Sequence, residues 1–161
     1  MNKLTDITID RFKPEDQSPA RALVLAGLAE HWGWLDPDKN PDLSDIASTY
    51  ASGVFLVARN EERIVGTGAL RPGRAQAAEV VRMSVAADMR RKGIGGRILE
   101  SLCKEARARG FKTITLETTE SWSEAIAFYE RFGFRSTHRL EGDVYFALQL
   151  PDLAVQPGIQ K

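Results

Sequence analysis

Residues 77–118 constrain the fold more than any other stretch. "AAEVVRMSV" (Ala77–Val85) reads as a strand, "MRRKGIGGR" (Met89–Arg97) as a basic, glycine-rich turn, and "FKTITLET" (Phe111–Thr118) as another strand. Between the turn and the second strand, Ile94, Ile98, Leu102 and Ala106 recur at every fourth position, and Leu99 and Cys103 widen that stripe. The spacing predicts an amphipathic helix over Gly93–Arg109, closed by Gly110 at its C′ position. A helix between two strands supplies the long crossover that lets those strands run parallel.

The remaining elements are of a different kind. "VFLVARN" and "IVGTGALRP", separated by the polar "EER", read as a β-hairpin, and Ala77–Val85 extends it to a meander. "DITIDRF" at the front is a short strand. Ser18 followed by Pro19 predicts a helix from Pro19 to Glu30, and Leu43–Tyr50 a second, shorter one. Glu124–Phe132 is a helix stopped by Gly133; "GFRSTHRL" and "GDVYFALQL" form a closing pair of strands, with residues 151–161 as a tail. The expected order is β-α-α-β-β-β-α-β-α-β-β. That order defines a single-domain mixed α/β fold with a mostly antiparallel sheet flanked by helices.

Size and charge narrow the function classes. At 161 residues, the chain is long enough for one well-buried core. Lys plus Arg equals Asp plus Glu at 22 each, so no overall field draws the protein to nucleic acid or to a membrane surface. "MNKLTDITID" lacks a secretory apolar region, no run approaches a membrane span, and a single cysteine forms no internal disulfide. The expectation is a cytoplasmic protein with no nucleic-acid or membrane partner. Two histidines and one cysteine, far apart in sequence, predict no metal site.

The basic turn is the chemical feature that stands out. A helix N-terminus carries unpaired N–H groups and partial positive charge. Glycines let an anion approach the backbone, and Arg90, Arg91, Lys92 and Arg97 add charge, so Arg90–Gly96 reads as a phosphate cradle. A plain turn with a solvated basic face is the competing reading. Two familiar cradles do not fit. There is no G-x-x-x-x-G-K-[ST]. Position 98, where a dinucleotide fingerprint would need its third glycine, is Ile98.

What does fit is R-x-x-G-x-G at Arg90–Gly95 together with "AIAFYERFGF", which carries Ala125, Ile126, Tyr129, Glu130, Gly133 and Phe134. With these motifs the chain resembles the GNAT superfamily of acetyl-CoA-dependent N-acetyltransferases, over nearly its whole length; "RMSV" is similar to the camello-type branch. The resemblance implies a GNAT-like sheet with splayed central strands, residues 1–150 as the catalytic domain, and acetyl-CoA as acyl donor with no metal. It implies that backbone groups at Met83, Ser84 and Val85 bind the pantetheine arm, with the Val85 N–H polarising the thioester carbonyl. It assigns the pyrophosphate to Arg90, Arg91, Lys92, Gly93, Ile94, Gly95 and Gly96, and further donor contacts to Trp122, Ala125 and Tyr129. Trp122 stands where many members have Asn, so packing replaces a side-chain hydrogen bond there. The family also admits a homodimer.

Proton transfer sets the remaining candidates. A lysine-like amine, pKa about 10.4, is neutral at pH 7 only at a cost of about 4–5 kcal/mol. Glu79 is the first candidate base; a straight strand would put it roughly 20 Å from Val85, so it needs a water relay or is a solvated edge carboxylate. Glu117, late on the following strand, is the second, and His31 the third. Tyr129 is either the acid that protonates the departing thiolate or an aromatic core residue. His138 reads as structural and Cys103 as core. His31, Trp32 and Trp34 are expected to line an acceptor wall, unless the tryptophans pin their loop to the core, and Arg71 to meet an acceptor carboxylate. The acceptor reading is a small-molecule primary amine attacking directly in a ternary complex. The alternatives are a protein lysine or N-terminal acetyltransferase and a non-catalytic acyl-CoA-binding module.

Overall fold

The computed structural model describes residues 6–36 and 38–150. In chain order the elements are β1 (Ile7–Arg11), α1 (Gln17–Trp32), α2 (Ile46–Thr49), β2 (Val54–Asn60), β3 (Arg63–Pro72), β4 (Ala77–Val85), α3 (Ile94–Ala108), β5 (Thr113–Thr119), α4 (Ser123–Phe132), β6 (Arg135–Leu140) and β7 (Asp143–Gln149), with single 3-10 turns at Pro14–Asp16, Pro41–Ser44 and Ala87–Met89. The seven strands form one sheet in the order β1-β2-β3-β4-β5-β7-β6. β4 and β5 are parallel, Ala77–Glu79 lying beside Thr113–Thr115, as the crossover through α3 requires. The β1–β2, β2–β3, β5–β7 and β6–β7 pairs are antiparallel. This is the mixed α/β architecture expected. The tail after residue 150 lies outside the described residues.

The chain divides into two compact units, the first with residues 6–71 and 81–102, the second with 72–80 and 103–150. In the first, Ala20 and Val24 of α1 and Ile46 of α2 pack with Leu43 and Tyr50 on Phe55, Val57 and Ala69 of the sheet. Burial of each of the larger aliphatic and aromatic side chains here stabilises by about 1.5–3 kcal/mol. On the opposite face Gly68 of β3 lets α3 come close: a Cβ there would lie 2.5 Å from Ile98 Cγ2. The entry to α1 differs from the Ser18–Pro19 start. The helix begins at Gln17, directly after the Pro14–Asp16 turn, and Ser18 lies inside it. The cause is Asp16, which is buried, accepts the Lys13 N–H at 2.9 Å and forms a bidentate pair with Arg59 at 2.9 and 2.6 Å. The second predicted helix is broken in two, because the Asp45 carboxylate accepts the Ser48 N–H and starts α2 afresh.

In the second unit, Ile114 and Leu116 of β5 and Val144, Phe146 and Leu148 of β7 are buried, with exposed or half-buried residues alternating between them. Tyr129 of α4 packs edge-on to Phe134 at 5.8 Å and tilted to Phe146 at 6.2 Å. β6 is the sheet's edge strand and is exposed at every position. Arg135, Thr137 and Arg139 on it keep that edge polar.

Candidate functional site

Arg91 and Gly93 have φ of 62° and 84°, both left-handed, so the backbone reverses sharply just before α3. Gly93 accepts the first helical hydrogen bond, from the Arg97 N–H at 3.1 Å, which makes it the N-cap residue. A Ser or Asp cap would have occupied the N–H of Gly95 or Gly96 with its own oxygen; glycine has no side chain to do so. A Cβ built on Gly93 or on Gly96 meets no atom within 4 Å, so open space lies above both. The donor set, backbone N–H groups at a helix start beside exposed Arg91 and Lys92, suits a pyrophosphate.

The other two bases are committed within the protein. Arg90 donates from Nε to the Val85 carbonyl at 3.0 Å and makes a bidentate pair with Glu30 of α1 at 2.7 and 3.1 Å. Arg97 donates to the Ile7 carbonyl at 3.0 Å. These two residues shape the turn rather than simply add charge to it.

Upstream, β4 carries a feature that sequence alternation missed. Arg82 has φ of 57°, at a cost of about 1–2 kcal/mol for a residue with a Cβ. Val81 packs against the α1–α2 core, and Arg82 reaches to the same side, toward Asp42. Met83 then turns to the α3 face, its Sδ 2.7 Å from where a Gly68 Cβ would stand, while Ser84 Oγ is 3.1 Å from the corresponding position of Gly27 in α1. Two successive side chains on one side define a β-bulge, and its effect is to invert the facing of Met83, Ser84 and Val85. Strand alternation carries no mark of it: Arg82 is one of three polar residues in β4, with Glu79 and Ser84.

In the second unit, Glu79 pairs with Thr115 across β4–β5, and Glu117 stands opposite Tyr145 across β5–β7. Glu117 is exposed overall, but partial desolvation of its carboxyl, then the charges of Asp143 and Glu79, push its pKa up, against a lowering hydrogen bond from Tyr145. The His138 ring stacks on Tyr145 with centroids 4.5 Å apart. Sequence reading placed Glu79 and Glu117; Asp143 and Tyr145 emerge only with the β5–β7 register. Tyr129 is buried, and burial alone pushes its hydroxyl well above the ordinary tyrosine range. Trp122 precedes α4, its carbonyl accepting the Ile126 N–H at 3.2 Å, and Ala125 is half-buried in the helix's first turn.

Three of the acceptor candidates, His31, Trp32 and Trp34, sit at or just beyond the end of α1. Gly33, left-handed at φ 86°, terminates the helix between Trp32 and Trp34. These tryptophans are 51% and 66% exposed, so neither pins its loop to the core. His31 packs edge-on to Trp32 at 4.6 Å. Arg71 is exposed at the end of β3.

With this geometry in view, residues 17–134 match the Acetyltransferase (GNAT) family, to which the chain therefore belongs. A probable N-acetyltransferase camello of Xenopus tropicalis is 34% identical over 125 residues, covering 72% of this chain and 57% of that protein. The chain spans about half the length of the camello relatives it matches (52% and 57%). An IAA acetyltransferase of Azospirillum brasilense is 32% identical over 133 residues, covering 81% of this chain and 86% of its own. Among solved structures, the PaiA N-acetyltransferase from Thermoplasma acidophilum in complex with coenzyme A shares the fold, with a TM-score of 0.78 at 18% identity over 89% of this chain and 98% of that one.

Proposed function

We propose that residues 1–150 act as an acetyl-CoA-dependent N-acetyltransferase domain that transfers acetyl to a primary amine of a small molecule, by direct attack in a ternary complex. The observation that carries this reading is the turn at Arg90–Gly96: left-handed Arg91 and Gly93, a glycine cap and open space above Gly93 and Gly96. The PaiA relative in fold has coenzyme A bound. Here the backbone of Met83–Val85 holds the pantetheine arm, and the Val85 N–H polarises the carbonyl of the thioester. Residues 91–96 hold the pyrophosphate. The amine nitrogen bonds to the acetyl carbon, the carbon–sulfur bond breaks, and the amine's proton leaves to a base.

Glu117 fits the base better than Glu79, because its raised pKa brings it nearer the working pH while leaving it ionised above that value. Glu79 lends charge to that shift. Tyr129 stays protonated at neutral pH and is a donor for the departing thiolate. Trp32, packed on His31, and Trp34 are both exposed and form a wall able to pack on a small apolar or cationic acceptor, and Arg71 suits an acceptor that also carries a carboxylate.

Two results are expected. In acetyl-CoA with a mixture of small amines, amino acids and a lysine peptide, mass spectrometry will find one acetyl group on a small amine; acetylation of the peptide alone would move the assignment to a protein acetyltransferase. The second concerns pH. Activity will rise with pH through a titration above the ordinary carboxylate range, and Glu117→Gln will remove that limb and lower kcat by about tenfold or more. Because the folded pKa of Glu117 is raised, its ionisation weakens the fold as pH rises through that value. Glu117→Gln will therefore raise Tm at pH 8 and leave it nearly unchanged at pH 4, where the native carboxyl is already protonated. A profile unchanged by Glu117→Gln would pass the base role to Glu79 or water.

A further inference from the structure

The bulge that turns Met83–Val85 is held by a network that the transfer reaction itself does not use. Arg82 is fixed at both ends. Its carbonyl accepts the Thr67 hydroxyl of β3 at 2.8 Å. Its guanidinium grips Asp42 with two prongs, Nε to Oδ2 at 2.9 Å and Nη2 to Oδ1 at 2.6 Å, and Nη2 also donates to Asn40 Oδ1 at 3.0 Å. Asp42 in turn accepts the Tyr50 hydroxyl at 2.8 Å. The Arg82 and Asp42 side chains are each only 20% exposed. A planar fork on a carboxylate fixes angle as well as distance, which a point charge does not.

Two consequences follow from where this fork sits. Without the left-handed turn at Arg82, strand alternation would return Met83 to the α1–α2 side and rotate the backbone that follows. Asn40 and Asp42 also belong to the segment that leads away from Trp34, and the fork fastens that segment to β4. We infer that Arg82 is a positioning residue: its fork on Asp42 holds the β4 bulge and so sets the orientation in which Met83–Val85 present their backbone to the acyl donor. The inference rests on the donor-binding reading above.

Three single variants separate positioning from plain stability. Arg82→Lys keeps the charge and loses the fork. Asp42→Asn keeps the shape and loses the charge. Tyr50→Phe removes the third contact on Asp42 and leaves the fork in place. CoA affinity by calorimetry, kcat with acetyl-CoA and Tm are measured for each beside wild type. Arg82→Lys and Asp42→Asn are expected to weaken CoA binding about fivefold and lower kcat about tenfold or more, since small misplacements of a reacting group have effects of that order. Tyr50→Phe is expected to lower Tm with CoA affinity and kcat within about twofold of wild type. Folded Arg82→Lys or Asp42→Asn with wild-type affinity and kcat would overturn the inference and leave the donor site standing. Equal loss of affinity in Tyr50→Phe would overturn it too, because general loosening would then explain the effect. Wild type that binds no CoA would remove the donor reading itself, and this inference with it.

Discussion

Gly96→Glu is expected to fold normally, to melt slightly higher than wild type, and to bind CoA about a hundredfold more weakly, a loss of about 2.7 kcal/mol. Gly96 is the third residue of α3, and a Cβ there meets nothing within 4 Å. In a helix interior glycine is less favourable than alanine by about 0.8–1.0 kcal/mol, and glutamate is close to alanine. An acid in the first turn also interacts favourably with the helix dipole, by about 0.3–1 kcal/mol. The like charge of Glu100, four residues on along α3, opposes these gains by only about 0.2–0.5 kcal/mol, so the intramolecular balance still favours the variant. Its carboxylate would nonetheless stand in the open space that a pyrophosphate needs, with the same sign of charge. Calorimetry with CoA and a thermal melt check the two halves independently. Higher Tm with unchanged CoA affinity would show that the turn holds no phosphate.

Gly53→Ala acts in the opposite way, on the fold alone. Gly53 sits in the turn before β2, its N–H donating to the Tyr50 carbonyl at 3.0 Å. A Cβ would come within 1.9 Å of the Leu70 carbonyl oxygen and 3.1 Å of the Arg71 Cα. These are backbone atoms, so no rotamer change relieves the overlap; the β2–β3 ladder, which pairs Val54 with Leu70, must shift. We expect a loss of about 3 kcal/mol, large against a total of about 5–15 kcal/mol for an ordinary domain. Urea unfolding followed by circular dichroism gives the number, and a loss below about 1 kcal/mol would show that the turn adjusts without strain.

Elements whose signals are local were read well from the sequence. The sequence bounds β4 at Ala77–Val85, as in the structure, and α3 within one residue at each end, because the four-residue recurrence of Ile94, Ile98 and Leu102 and the Gly110 stop lie in or next to the element. The glycine turn was legible for the same reason. What escaped depends on partners far along the chain. Asp16, the last residue of the turn before α1, is held by Arg59, 43 residues on, and that sets the helix start at Gln17. Arg82 takes a left-handed conformation in company with Asp42, 40 residues away. Period-two patterning describes a regular strand, so it carries no mark of the one-residue slip. The neighbours of Glu117 likewise depend on the β5–β7 register, which sets Tyr145 opposite it. Tyr129 is legible as a residue and ambiguous as a role: its ring lies in the aromatic core, and burial pushes its hydroxyl above the ordinary tyrosine range.

The measurement that bears most directly on the account is thiol release from acetyl-CoA by the wild-type chain, with and without a panel of small amines, run beside Gly96→Glu at equal concentration. Release is expected to depend on the amine, to saturate in acetyl-CoA, and at limiting donor to be nearly lost in the variant. Tight CoA binding with no release on any amine would contradict this, leaving the chain as an acyl-CoA-binding module on an acetyltransferase fold.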